Sequence, residues 1–365
     1  MKTVLISIVI FTCTFLQLFA LSQGETGNKN EVYVFPAEDE PHEGTWLTWP
    51  HDKTYGYGTR EELEPIWIAM TEALSTGEKV HIIAYNEAEK RHINSVLKRS
   101  KSNMDNVDYF IFPTDDTWIR DNGPIFVRDS NNRLVISNWN FNGWGEKCPY
   151  NKDNRIPSLV SNTLDIPIID VDMILEGGSF ETDGKGTCIA TLSSIVNPNR
   201  NPGLGISEIE SYLSTYMGFK NFIWLEGVIG LDITDFHIDG FVKMIDEKTI
   251  LTFSKNDLIE EWALPENDFK ILKSAINVNG EPYSFEIVPL TSKNVKGLEY
   301  KGSYLNYYIG NNVVLVPNYN DMNDSIANDI ISRFYPDREI IGIDVTALFK
   351  YGGMIHCVTQ QQPEE

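Results

Sequence analysis

The chain has 365 residues, of which 42% are hydrophobic and 12% aromatic, enough for a substantial core and too much for a disordered chain. Its 30 basic and 52 acidic side chains give a net charge of −22, which repels nucleic acid and anionic membrane surfaces and favours small cations as ligands.

The chain opens Met1-Lys2-Thr3, continues through an apolar stretch from Val4 to about Leu21, and then reads Ser22-Gln23-Gly24. This three-part pattern predicts a signal peptide over residues 1–23 and a secreted or lumenal protein; an uncleaved signal anchor is the competing reading. No Gly/Ser linker, proline tract or charge block divides residues 31–365, which are read as one catalytic domain. Beyond the leader stand Cys148, Cys188 and Cys357, an odd number. A Cys148–Cys188 disulfide suits an exported chain. No C-x-x-C or His-x-x-x-His pair points to zinc.

Short β-branched or aromatic runs flanked by Gly, Pro, Asn or Asp predict strands. In chain order they are Lys79–Tyr85, Tyr109–Phe112, Pro124–Arg128, Arg133–Asn138, Cys188–Thr191, Phe241–Ile245, Thr249–Phe253, Phe285–Pro289 and Val313–Pro317. Helical patterns fall at Glu61–Ser75, Glu87–Arg99, Ser207–Met217, Asp257–Ile276 and Asn323–Phe334, with a capping box expected from Ser207 and Glu210. Interleaved strands and helices predict an α/β fold.

Four segments carry chemistry. Asp115-Asp116-Thr117-Trp118-Ile119-Arg120-Asp121 crowds carboxylates and an indole before Asn122-Gly123-Pro124. It reads either as a solvated acidic loop or as a pocket in which carboxylates grip a planar guanidinium under an aromatic face. Glu176-Gly177-Gly178 reads either as a plain turn or as a carboxylate delivered where the backbone must come close to a ligand. In an extended segment His237 and Asp239 point to one side, a pairing suited to general acid/base work, although a lone His-x-Asp is more often a surface strand. Near the end, Gly352-Gly353 precedes His356-Cys357, where a thiolate nucleophile is the functional reading and a structural cysteine the bland one. Neighbours in an extended chain face opposite ways, so His237 rather than His356 is the expected partner of Cys357.

Together these segments resemble the agmatine deiminase family, part of a wider group of guanidine-modifying enzymes that includes bacterial peptidylarginine deiminases. The resemblance runs from about Phe35 to Gln362. It takes in Trp46-Leu47-Thr48-Trp49-Pro50, Phe141-Asn142-Gly143-Trp144-Gly145 and Cys357-Val358-Thr359-Gln360-Gln361-Gln362-Pro363 as well as the four segments. It implies a five-bladed, pseudo-symmetric α/β-propeller of ββαβ units, the pentein fold. It also implies Cys357 as nucleophile, His237 as general acid/base, Asp121 and Asp239 as guanidinium ligands and Glu176 as the group that orients His237. Trp118 and Trp144 would bind substrate, and Asn306 falls in a segment that reaches the site. The expected reaction converts a guanidine to a ureido group and ammonia, with no metal or organic cofactor.

Agmatine is the favoured substrate, giving N-carbamoylputrescine for putrescine synthesis. Its second ammonium suits the net charge and a surplus carboxylate such as Asp115 or Asp116, and Phe141–Lys147 contains no arginine to hold a substrate carboxylate, although Lys147 is a candidate. The alternatives are a secreted peptidylarginine deiminase, which the leader favours, and a silent binder of polyamines or arginine.

Overall fold

The computed structural model describes residues 32–365, so the leader expected at residues 1–23 lies outside the described residues. Strands β1 (His42–Thr48), β2 (Lys79–Ala84) and β3 (Val107–Ile111) run parallel, β2 in the middle. The helix Thr59–Leu74 crosses from β1 to β2. It buries Leu63, Ile66, Trp67, Met70, Ala73 and Leu74, the stripe that recurs every three or four residues when one helix face meets a core.

The next three-stranded sheet shows a plan that then repeats. β4 (Ile125–Arg128) and β5 (Leu134–Asn140) form an antiparallel hairpin, and the helix Ile156–Leu164 returns the chain to β6 (Ile168–Ile174), parallel to β5. β7 (Phe180–Thr182), β8 (Thr187–Thr191) and β9 (Asn221–Leu225) repeat it around the helix Ile206–Met217. So do β10 (Val242–Met244), β11 (Thr249–Thr252) and β12 (Ser284–Ile287) around Glu266–Lys273. The set β13 (Tyr308–Ile309), β14 (Val313–Asn318) and β15 (Glu339–Asp344) follows around Asp324–Ser332. Finally β16 (Gln360–Pro363) pairs antiparallel with β1, Trp46 opposite Gln360, and gives the first sheet the same antiparallel-then-parallel order. Among the described residues there are five sheets on one plan.

Several local expectations are corrected. Gly205, not Ser207, caps the helix Ile206–Met217: its N–H donates to Glu208 Oε2 at 2.8 Å, two residues ahead of the predicted box. The pattern over residues 257–276 breaks into a π-turn at Asp257–Glu261 and a helix beginning after Pro265, which lacks the N–H a continuous helix needs. Cys148, Cys188 and Cys357 are all free thiols.

Five short turns, each just ahead of the first strand of a sheet, carry the residues the sequence singled out. Asp121 precedes β4, Glu176 precedes β7, His237 and Asp239 precede β10, Asn306 precedes β13 and Cys357 precedes β16. The repeated plan thus places one turn per sheet at equivalent positions.

Candidate active site

Gly178 shows how closely these turns converge. A β-carbon placed there would lie 2.8 Å from His237 Nδ1, 3.0 Å from Asp121 Oδ1 and 3.0 Å from Asp239 Oδ2. Only glycine fits among three charged side chains. Its own N–H donates to Asp121 Oδ1 at 2.9 Å, and Trp144 Nε1 donates to Asp121 Oδ2 at 2.9 Å. Trp144, a non-glycine residue in the left-handed region at φ 56°, is therefore a support for Asp121.

His237 does not lie on a strand as the His-x-Asp pattern predicted. Asp235 and Phe236 adopt left-handed φ values of 60° and 80°, and Ile238–Gly240 form a 3-10 turn. Such strain in bulky residues persists only where the surroundings hold it. The ring is held by Glu176, whose Oε2 lies 2.8 Å from Nε2. Nδ1 faces Asp121 Oδ1 at 3.7 Å, so it is the nitrogen available to move a proton. Burial opposes the imidazolium, but the charges of Asp121 and Glu176 and the bond to Glu176 outweigh it and raise the His237 pKa to about 9.

Glu176 is anchored by a residue the sequence reading missed. Arg200, fully buried, donates to Glu176 Oε1 at 2.7 Å and to Asp235 Oδ2 at 2.5 Å. Burial raises the Glu176 pKa, yet His237 and Arg200 together hold it below the ordinary carboxylate value. The only local sign of Arg200 was a cation among asparagines and prolines, and its partners lie distant in sequence.

Cys357 sits in a 3-10 turn, His356–Val358, rather than in the extended chain expected. Its Sγ lies 3.4 Å from Asn306 Oδ1, and Asn306 Nδ2 donates to the Asp239 carbonyl at 3.3 Å. Burial and the charges of Asp239 and Asp121 push the thiol pKa well above its ordinary value. His356 points elsewhere: its Nδ1 meets Asp239 Oδ2 at 2.8 Å.

Cys357, His237, Asp239 and Asn306 line one cavity of about 480 Å³. Phe236, Trp262, Tyr300, Phe349 and Met354 add an apolar lining; its other charged residues are Asp232, Glu261 and Lys301. Lys301 Nζ lies 2.9 Å from Glu261 Oε1.

The residues expected at the substrate's far end are placed differently. Asp115 is bonded to Lys152 Nζ at 2.7 Å, and Asp116 accepts from Tyr55 Oη at 2.7 Å; neither lines the cavity. Trp118 donates to the same Tyr55 oxygen at 3.1 Å and packs on Gly353, where an added β-carbon would fall 2.3 Å from its ring. Gly353 thus makes room for Trp118, while Gly352, at φ 101°, lines the cavity. Lys147 is tied to Asp235 at 2.6 Å.

Comparison with known proteins places the chain among relatives. The family model of Porphyromonas-type peptidyl-arginine deiminases matches residues 34–363. The chain is 30% identical to the agmatine deiminase of Medicago truncatula, over 91% of this chain and 96% of that one. It superposes on a Cys-to-Ser form of C. jejuni agmatine deiminase with substrate bound at a TM-score of 0.81 and 28% identity, covering 93% and 98% of the two chains. It also shares its fold, at a TM-score of 0.81 and 24% identity, with the agmatine deiminase of Enterococcus faecalis, covering 91% and 96%.

Fold, site and relatives together define a hydrolase acting on carbon–nitrogen bonds. The chain belongs to the Porphyromonas-type peptidyl-arginine deiminase family, which the agmatine deiminases share.

Proposed function

We propose that the chain hydrolyses agmatine to N-carbamoylputrescine and ammonia, as a step in putrescine synthesis. The observation that carries this reading is the lining of the cavity. Cys357, His237 and Asp239 share it with the apolar Phe236, Trp262, Phe349 and Met354, and three carboxylates, Asp232, Asp239 and Glu261, stand against the one lysine, Lys301, which Glu261 already pairs. A chain of methylenes with a cation at each end is complementary to such a lining. Lys147, the earlier candidate for a substrate carboxylate, is occupied by Asp235.

In this reading Asp121 and Asp239 take the two edges of the guanidinium and present its carbon to Cys357 Sγ. The arriving cation offsets the negative field that keeps the thiol protonated, and the thiol proton leaves to solvent. The thiolate attacks, forming a C–S bond and a neutral tetrahedral adduct. His237 then gives its Nδ1 proton to one nitrogen, and the C–N bond breaks to release ammonia and leave a thiouronium cation. Water next loses a proton to His237 and adds to that carbon. Collapse breaks the C–S bond, and the hydroxyl proton leaves as the ureido carbonyl forms. Five sheets on one plan support a propeller of five blades around this site, and the leader supports export.

Lys301 and the family description favour a second reading, hydrolysis of arginine, free or in a peptide, whose carboxylate end would meet that lysine. Ammonia and ureido product are to be measured with agmatine, arginine and a peptide ending in arginine. The first reading expects agmatine to give the highest kcat/KM by at least about tenfold, the value of one lost ion pair at such a site; an arginine preference overturns it. Binding of agmatine with no turnover of any substrate would instead identify a silent binder. Cys357→Ser should lower turnover at least about 10³-fold, and near-normal ammonia release would end the mechanism.

A further inference from the structure

Asp239 is held through its Oδ2 by a buried array that the reaction itself does not use. His356 Nδ1 lies 2.8 Å from Asp239 Oδ2, and His356 Nε2 lies 3.0 Å from Glu38 Oε2. Nδ1 thus donates to Asp239, while Nε2 lies between Glu38 Oε2 and the Lys243 ammonium, 3.4 Å away. Glu38 is fixed in turn: Lys243 Nζ donates to its Oε2 at 2.8 Å, and the Ile309 N–H donates to its Oε1 at 3.1 Å. Lys243 also reaches Glu181 at 3.1 Å. His356 is 2% exposed. It lines not the reaction cavity but a separate space of about 40 Å³, shared with Glu38, Glu181 and Lys243.

The backbone of His356 is tied down as well. Its N–H donates to Asn306 Oδ1 at 3.1 Å, and its carbonyl accepts from Arg120 Nε at 3.3 Å. One dipeptide thus carries the nucleophile and the clamp on the carboxylate that faces it. A carboxylate with one oxygen fixed by a ring N–H donor loses rotational freedom, and its other oxygen is aimed before any ligand arrives.

We infer that His356, braced by Glu38 and Lys243, is a positioning residue that aims Asp239 at the substrate guanidinium. It acts on capture of that group and not on proton transfer. The inference rests on the reading of Asp239 as a guanidinium ligand and is independent of which tail the substrate carries.

Two measurements test it, with thermal unfolding as a check on folding. One is the KM and kcat of ammonia release from agmatine. The other is the concentration of guanidinium chloride, in the low millimolar range, that half-protects Cys357 from iodoacetamide. In His356→Ala both KM and the half-protecting concentration should rise about tenfold to hundredfold, the worth of one charge-assisted hydrogen bond. kcat should fall less, and each half-protecting concentration is read relative to that variant's own alkylation rate without guanidinium. His356→Asn keeps a donor near the Nδ1 position and should recover most of the protection, with Glu38→Gln between the two. Wild-type protection in His356→Ala overturns the inference, as does His356→Asn behaving no better than His356→Ala. If His356→Ala does not fold, Glu38→Gln decides: an unchanged half-protecting concentration is then the overturning result. A wild-type enzyme that guanidinium protects but that leaves agmatine intact sinks agmatine as substrate and leaves this inference standing; one that guanidinium does not protect sinks it.

Discussion

Asp121 and Asp239 flank the same glycine and are both buried, yet their acidities move in opposite directions. At Asp121 burial comes first and raises the pKa; nearby Glu176 and Asp239 add to it, and the charge of His237 and the Trp144 hydrogen bond only partly counter it. At Asp239 burial also raises the pKa, but the His356 hydrogen bond and charge outweigh it and hold the group below its ordinary value. The Gly178 N–H and the Trp144 indole support one carboxylate, and an imidazole braced by Glu38 supports the other. The difference teaches that the two halves of the site are prepared to different degrees: Asp239 is ionised and aimed in advance, whereas Asp121 gains most from a cation that arrives later. His237 hangs from the Asp121 half through Glu176 and Arg200, so proton transfer and guanidinium capture have separate supports.

Damage to the first support should show in the chemical step. His237→Asn should lower kcat about 10²–10⁴-fold, the usual worth of a general acid/base, with a smaller change in KM. A variant hurt mainly in KM would merge the two halves and break the comparison. Arg200→Met leaves buried Glu176 with His237 as its one cation, and Asp235 with Lys147 alone. Breaking a buried ion pair from one side costs about 3–5 kcal/mol, to be read from urea unfolding. An unchanged midpoint would remove Arg200 from the support.

The pH profile sharpens the same contrast. The productive state pairs a thiolate with an imidazolium. Below about 9, rising pH frees the thiol without discharging His237; above it, each gain in thiolate is matched by loss of imidazolium. kcat/KM should therefore climb with pH and level off near 9, and a decline beginning at neutral pH would contradict the assignment. In stability the sign is fixed by the raised value: the folded chain holds the His237 proton more tightly than the unfolded one. Its contribution is complete below the ordinary 6.5 and is lost as pH rises to about 9. The smallest effect is expected from Trp144→Phe, which removes one neutral donor from Asp121. kcat/KM should fall about threefold to tenfold, the range of an ordinary hydrogen bond, and a drop as large as that of His356→Ala would erase the asymmetry.

The sequence displayed the strands made of β-branched and aromatic residues because those residues pack well on a pleated surface wherever they fall. It hid β16, since Gln360, Gln361 and Gln362 have no such preference and become a strand only through β1. There Gln362 accepts from Trp46 Nε1 at 2.9 Å and Gln361 from Arg120 Nη1 at 2.8 Å, which gives the glutamines the role that composition could not show. The repeated plan was hidden for a related reason: five turns share a position relative to their sheets but no residue type. Asp121, Glu176, His237, Asp239 and Cys357 stood out because each is a reactive or charged group beside glycine or in a compact motif. Arg200, Glu38 and Lys243 did not, since each acquires its meaning from a distant partner, and His356 drew notice only as the neighbour of Cys357, with no sign of its tie to Asp239. Cavity residues such as Trp262 and Glu261 were equally silent, one resembling core and the other a solvated face.

The antiparallel pairing of β16 with β1 has a consequence for how the chain reaches its working form. Trp46 and Gln360 must meet across almost the whole described sequence, and Cys357 lies three residues ahead of that junction. Contacts so remote along a polymer form late, after local helices and hairpins, because the loop they close is long. During refolding, helical signal should thus return before Cys357 becomes protectable by guanidinium. A single thiol would then serve as a clock for the last event in assembly.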